Sequence, residues 1–444
     1  MLRVILTALT VTRAGDGLPI KSPTDVGMSS TRLAAIERVI ERGIKAGGYP
    51  GAAVVVGRNG AAVYEKGFGK LSWSESSTPV DAQRTIYDIA SLSKVVGTTT
   101  AIMILFDEKK IGLDDPVVNY IPTFGGGDKD KVTIRMLLTH TSGLPAGRDI
   151  WRIAQTPLEA RALVLNTPLE GRPGMQYIYS DLGADVLGMI VEVVAGEPLD
   201  KFLTRRVFEP LGMNETMYRP ADSLKYRIAP TEVTPPRGYP LRGEVHDENA
   251  YALGGVAGHA GLFSTAADLS VFAQMMLNGG EYNGVQIISK PTVELFTTRA
   301  FGHRALGWDT AEGDYGSGRY LGPTAYGHTG FTGTSMWIDP ERGMFVILLT
   351  NRVHAARALR PAKVISDVRA DLSDAAVLSV VDGPKVAAAH GFRADREVGW
   401  NPPPPRASRR RHGSSRHHTI ASATSHSRSS VKKSSSSKKK TKKR

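Results

Sequence analysis

Two pairs of β-rich runs stand at opposite ends of the body of this chain, and a long helical stretch separates them. Ala52 to Val56 and Ala61 to Phe68 form the first pair. Arg58-Asn59-Gly60 joins them, and Asn-Gly tolerates the positive φ that a tight hairpin needs. Ser335 to Ile338 and Met344 to Thr350 form the second pair, around the turn sequence Pro340-Glu341-Arg342-Gly343. Ser30 is placed to cap a helix that carries Leu33, Ile36, Val39, Ile40 and Ile44 on one face. A second terminal helix is expected over roughly Arg360 to Leu372. Between the strand pairs, Ser91 to Leu105 is apolar nearly all round and predicts a buried helix. Asp181 to Val194 and Leu199 to Phe208 are further helices, split by Ala195-Gly196. No internal repeat is visible. The fold class is therefore α/β (α+β): one antiparallel sheet built from both ends, flanked by N- and C-terminal helices, with an inserted all-helical domain.

Charge does not point to a partner for this body. The net charge of +13 looks like a nucleic-acid signal until it is located. Residues 406–444 hold 14 Lys and Arg and no acidic residue, which leaves −1 for residues 1–405. That tail is Ser, Lys, Arg and His with almost no apolar residue, so it is expected to be disordered. Three readings stay open for it: non-specific contact with an anionic polymer, a solvated appendage, or a gene-model artefact. It holds no aromatic residue for base stacking, so no specific nucleic acid is expected. Residues 376–405, with Pro402 to Pro405, read as a linker. At the other end, residues 1–23 form a leader. Met1-Leu2-Arg3 before Val4 to Val11 fits a short signal peptide cut near Thr12-Arg13-Ala14, and fits equally a leader with no targeting role. No run is long enough to span a bilayer as a helix. The absence of cysteine excludes disulfides, thiolate nucleophiles and Cys-based metal sites.

The chemistry-bearing residues come in three groups. In Ser91-Leu92-Ser93-Lys94, residues three apart share a helix face, so the amine can reach the hydroxyl. A hydroxyl is a poor nucleophile until a base takes its proton. The apolar helix predicts a lowered lysine pKa, which would let Lys94 act as that base near neutral pH. Ser91 near a helix N-terminus also sits where free N–H groups can hold an oxyanion. The spacing alone carries nothing, since Ser435-Ser436-Ser437-Lys438 in the tail repeats it. The second group is Tyr179-Ser180-Asp181, with a phenol able to relay a proton. The third is His328-Thr329-Gly330 ahead of a strand, with the N–H of Phe331 as a second oxyanion donor and Gly330 leaving room for a substrate backbone. Each group alone is matched by a bland reading, as a solvated helix face, a loop tyrosine or a Gly turn. Their order and contexts together change that balance.

On these residues the chain resembles the β-lactamase-related serine hydrolases: class C β-lactamases, D,D-carboxypeptidases, D-aminopeptidases and family VIII esterases. The resemblance extends to Leu137-Leu138-Thr139-His140-Thr141-Ser142-Gly143-Leu144 and to the stretch from Gly254 to Thr265, and covers roughly residues 24–375. It implies that Ser91 is acylated by an ester, amide or lactam carbonyl of a small-molecule or peptide substrate. Lys94 and Tyr179 would activate Ser91 and then water, and the N–H groups of Ser91 and Phe331 would hold the oxyanion. No metal or cofactor is implied. A periplasmic or secreted location is suspected from the family, with a cytoplasmic one left open by the weak leader.

Two positions depart from the family pattern. His328 stands where many members have Lys, and a neutral imidazole attracts a substrate carboxylate less. Asp181 stands where many have Asn, and an ionised carboxylate cannot donate to a substrate carbonyl. Both favour an esterase or a D-amino-acid peptidase over an efficient β-lactamase. The alternatives are a β-lactamase proper and a non-catalytic cell-wall-peptide binding protein of the same fold. Retention of Ser91, Lys94 and Tyr179 together argues against the latter, and the near-neutral body argues against a nucleic-acid binder. No Gly-x-Ser-x-Gly with a central Ser occurs. Val245-His246-Asp247-Glu248-Asn249 is read as a surface loop, because it lacks a second pair of metal-ligand residues. His140 is read as structural, bonding loop backbone, and for His259, between Gly258 and Ala260, a structural role is put ahead of a functional one at the border of the cleft.

Overall fold

A computed structural model describes residues 17–311, 316–354 and 362–384. Most of the leader, the expected helix start at Arg360, most of the 376–405 linker and the whole basic tail lie outside the described residues.

The central sheet has six antiparallel strands in the order β2-β1-β11-β10-β9-β8. These are β1 (Gly51–Arg58), β2 (Ala61–Gly69), β8 (Asp309–Thr310), β9 (Tyr326–Thr329), β10 (Ser335–Asp339) and β11 (Met344–Thr350). Both terminal regions thus meet at the middle of the sheet, where Ala52 pairs with Thr350 and Arg58 with Met344. The hairpin is where Asn-Gly put it: Asn59 and Gly60 both have positive φ, at 48° and 81°.

Side chains alternate across a strand, and here both faces are covered. Ala52, Val54 and Val56 of β1 join Met344, Val346 and Leu348 of β11 in a core under the Ala35–Lys45 and Ala362–Leu378 helices. Ala53, Val55, Phe345, Ile347 and Leu349 face the opposite core, which holds the Ala266–Leu277 helix and the helical region beyond. The two central strands are therefore buried at every position. The last helix runs to Leu378, and Val380 then pairs with Met28, so contacts continue past residue 375.

Two expectations change. The inserted region is not all helical: β3 (Tyr87–Asp88), β5 (Leu262–Ser264) and β4 (Met217–Tyr218) form a small sheet in that order. Glu281–Tyr282 and Val285–Gln286, β6 and β7, form a separate hairpin. Strands of two or three residues are too short to show a period of two. The expected helix from Ser91 begins as a π-helical turn, Lys94–Thr99, and becomes α-helical over Thr100–Asp107. Residues 92–105 are buried throughout, as the apolar run requires. Among the described residues no helix is long and apolar enough to cross a membrane.

Candidate active site

Ser91 sits at the entrance to that buried helix, directly after a strained residue. Ala90 has φ 47°, a left-handed conformation that a side chain disfavours. Asp88 at the end of β3 holds it: one carboxylate oxygen accepts from Ala90 N–H at 2.8 Å and the other from His246 N–H at 2.7 Å. Burial pushes the Asp88 pKa up to about 6 against those two bonds. The strain thus lies at the residue that turns the Ser91 side chain into the cleft.

Lys94 donates to the Ser91 hydroxyl oxygen at 2.9 Å and to the His259 carbonyl at 3.2 Å. Its Nζ lies 2.7 Å from Asp181 Oδ1 and 5.0 Å from the Tyr179 ring centre. The expected lowering of the lysine pKa is overturned. Burial does pull it down, but the Asp181 carboxylate and the Tyr179 oxygen outweigh that and hold it above the ordinary lysine value. Lys94 is an ammonium in the resting site. Asp181 is accordingly an ion-pair partner of Lys94, a role the sequence reading did not give it.

Tyr179 lies between two imidazoles, with ring centres 4.5 Å from His140 and 6.0 Å from His328. His140 is structural, as expected: its Nδ1 accepts from Ser180 N–H at 3.1 Å, and its carbonyl accepts from Ile178 N–H at 2.8 Å. These two bonds fix the Tyr179 loop from both sides. The Arg304 guanidinium lies 5.9 Å from the Tyr179 ring centre and pairs with Asp309. His328 donates from Nδ1 to the Thr329 carbonyl at 2.8 Å, while its buried Nε2 has no hydrogen-bond partner among the described residues. Burial lowers its pKa to about 4, so it is neutral at pH 7.

The turn after β9 completes the site. Gly330 N–H donates to the Thr334 carbonyl at 2.8 Å, and the hydroxyls of Thr332 and Thr334 donate to the Asp88 and Ile89 carbonyls at 2.7 and 3.0 Å. These bonds fasten the turn to the segment that presents Ser91. Glycine at 330 answers this packing and not only room for a substrate. A Cβ there would lie 2.1 Å from Thr334 Oγ1 and 2.5 Å from the Ile89 carbonyl oxygen. Phe331 is half exposed at the rim and stacks on His246 at 5.8 Å.

Ser91, Tyr179, Asp181, His328, Thr329, Gly330 and Phe331 line one cleft of about 980 Å³, with the Lys94 amine at its floor. The cleft also takes in a group read from sequence as a surface loop and a structural histidine. His246, Asp247 and Glu248 line it, and Asp247 caps the Glu248–Ala252 helix. His259 is buried, with Nδ1 2.7 Å from Asp185 and Nε2 2.9 Å from Asp247. Burial disfavours its charge, but the two carboxylates hold its pKa well above the ordinary histidine value. The signal for this clasp was the His-Asp pair in the loop, which acquires a partner only through tertiary contact. No group of three metal-ligating side chains occurs among the described residues.

Known proteins resemble this chain in sequence and in fold. The Beta-lactamase family profile matches residues 36–369. A relative from Escherichia coli (strain K12), named "Putative D-alanyl-D-alanine carboxypeptidase", is 35% identical over 399 residues, covering 80% of this chain and 91% of that protein. Among solved structures, EstCE1, described as a hydrolase with promiscuous acyltransferase activity, superposes with a TM-score of 0.63 at 24% identity. The match covers 78% of this chain and 99% of EstCE1. The octameric penicillin-binding protein homologue from Pyrococcus abyssi gives a TM-score of 0.59 at 25% identity, covering 76% of each chain.

Proposed function

The chain belongs to the beta-lactamase family of serine hydrolases, and from that premise we propose that it cleaves an ester or a D-amino-acid peptide bond through an acyl-enzyme on Ser91. The observation that carries this is the 2.9 Å contact between Lys94 Nζ and Ser91 Oγ in a cleft that also holds Tyr179.

In this reading Ser91 Oγ attacks the substrate carbonyl, and the N–H groups of Ser91 and Phe331 hold the oxyanion. The hydroxyl proton passes to the Lys94–Tyr179 pair and from there to the leaving amine or alkoxide. Water then repeats the sequence in reverse and frees the acid. An ammonium cannot accept a proton, so the acylating form carries one proton fewer on that pair than the resting form. Asp181 favours the resting form, and Tyr179 is the route by which the pair can lose the proton.

His328 sharpens the substrate class. A neutral imidazole with an open Nε2 accepts a hydrogen bond from a substrate N–H or O–H and offers a carboxylate no charge. This favours an ester or a D-amino-acid peptide that presents an N–H or O–H to Nε2 over a β-lactam that would be held at His328 by its carboxylate. A panel of a D-alanyl-D-alanine peptide, its L,L counterpart, p-nitrophenyl esters and nitrocefin tests it. The expected result is kcat/KM for the D,D-peptide or an ester well above that for nitrocefin. Nitrocefin as the best substrate, or no turnover of any, would overturn it.

A further inference from the structure

Against the β9–β10 turn, and lining the same cleft, stands an arginine that the proposed reaction does not use. Arg369, on the Ala362–Leu378 helix, donates from one Nη2 to the Gly330 carbonyl at 2.6 Å and to the Thr334 carbonyl at 2.8 Å. The Gly330 carbonyl also accepts from Gly333 N–H at 3.0 Å. That carbonyl and the Phe331 N–H belong to the same peptide group.

We propose that Arg369 is a positioning residue that strengthens the oxyanion donor by polarising the Gly330–Phe331 peptide. A cation on a carbonyl oxygen draws electron density through the amide and leaves its N–H more positive, as hydrogen bonds in a chain polarise one another. That N–H then binds a developing oxyanion more strongly than it binds a neutral carbonyl, which is the difference catalysis requires. Fastening the turn does not require an arginine. The Thr332 and Thr334 hydroxyls and the Gly330 and Gly333 N–H groups already close it and tie it to the Ser91 segment. What Arg369 adds is charge on two carbonyl oxygens of the turn, one of which shares its peptide group with the Phe331 N–H. Burial and the neighbouring Arg352 lower its pKa to about 9, so it is still cationic at pH 7.

The inference rests on the acyl-enzyme reading, and its test separates the two. Wild type, Arg369→Met and Arg369→Lys are acylated with a slowly released ester carrying a ¹³C carbonyl. The carbonyl stretch of the adduct is read by infrared difference spectroscopy, alongside kcat, KM and melting temperature. Arg369→Met is expected to move the stretch to higher frequency and lower kcat roughly tenfold with KM nearly unchanged, less than the loss on deleting an oxyanion donor outright. Arg369→Lys, which keeps the cation on a single-point donor, falls between; it carries the same readout should the Met variant not fold. An unmoved stretch with a full-rate variant, or a rate loss that only follows melting temperature, would overturn the polarising role. A wild type that forms no adduct would remove the acyl-enzyme reading and this proposal with it.

Discussion

Lys94 shows how a residue-scale inference can be right in position and reversed in charge. The i, i+3 spacing placed the amine on Ser91, and it lies 2.9 Å away. The apolar sequence around it argued for a neutral amine, but the decisive neighbour, Asp181, is far off along the chain and 2.7 Å away in space. No local pattern shows that approach. A consequence is testable through pH. Asp181 raises the Lys94 pKa, so Asp181→Asn lowers it, and the lysine loses its proton at lower pH. The acid limb of the kcat/KM profile is then expected to shift down by roughly one to three pH units. A limb that stays in place would mean that the Lys94 proton does not gate the rate. The same residue scale explains why Tyr179 and His328 were legible and Asp88 was not. The first two sit in short motifs with a chemical signature, while Asp88 acts by holding the backbone of Ala90.

Elements translate these contacts into a rigid site. The β9–β10 turn and the β3–Ser91 segment are bonded to each other through Thr332, Thr334, Asp88 and Ile89. Gly330→Ala would push a Cβ against the Ile89 carbonyl oxygen, two residues before Ser91. It is expected to destabilise the fold by about 1–3 kcal/mol in urea titration and to lower kcat beyond what the stability loss explains. On the other side of Lys94, the His259 imidazolium bridges Asp185 of the Asp181–Ala195 helix and the N-cap Asp247 of the Glu248–Ala252 helix. His259→Gln leaves two buried or half-buried carboxylates without their cation, for an expected loss of about 3–5 kcal/mol by the same titration near pH 6. The long elements were legible because period and caps repeat over many residues. The π-helical turn at Lys94 and the short strands β3, β4 and β5 were not, since their geometry is imposed by packing.

At the scale of the molecule, the sheet closes because β1 and β11, from opposite ends of the body, pair over seven residues with both faces buried. That architecture was visible in the order of apolar runs, whereas which side each strand residue faces is given by the two cores. Several buried acids set its pH dependence. Burial raises Asp268 and Asp374 from the ordinary 3.8 to about 7, so the folded state binds more protons than the unfolded one between those values. Stability therefore falls as pH rises through that window. His259 acts in the same direction higher up, its contribution full below 6.5 and lost as pH passes its raised pKa. Asp247, held well below the usual carboxylate range mainly by His259 despite its burial, opposes them only at acid pH. The melting temperature is expected to peak near pH 4 and to drop by several degrees by about pH 8. A flat profile in scanning calorimetry would contradict this assignment of buried charge. In the proposed reaction this fold makes one hydroxyl, that of Ser91, nucleophilic. Incubation with a fluorophosphonate probe followed by peptide mass spectrometry tests it most directly. A single adduct on Ser91 is expected, absent from a folded Ser91→Ala variant; labelling at another residue, or equal labelling of both proteins, would overturn the proposed reaction.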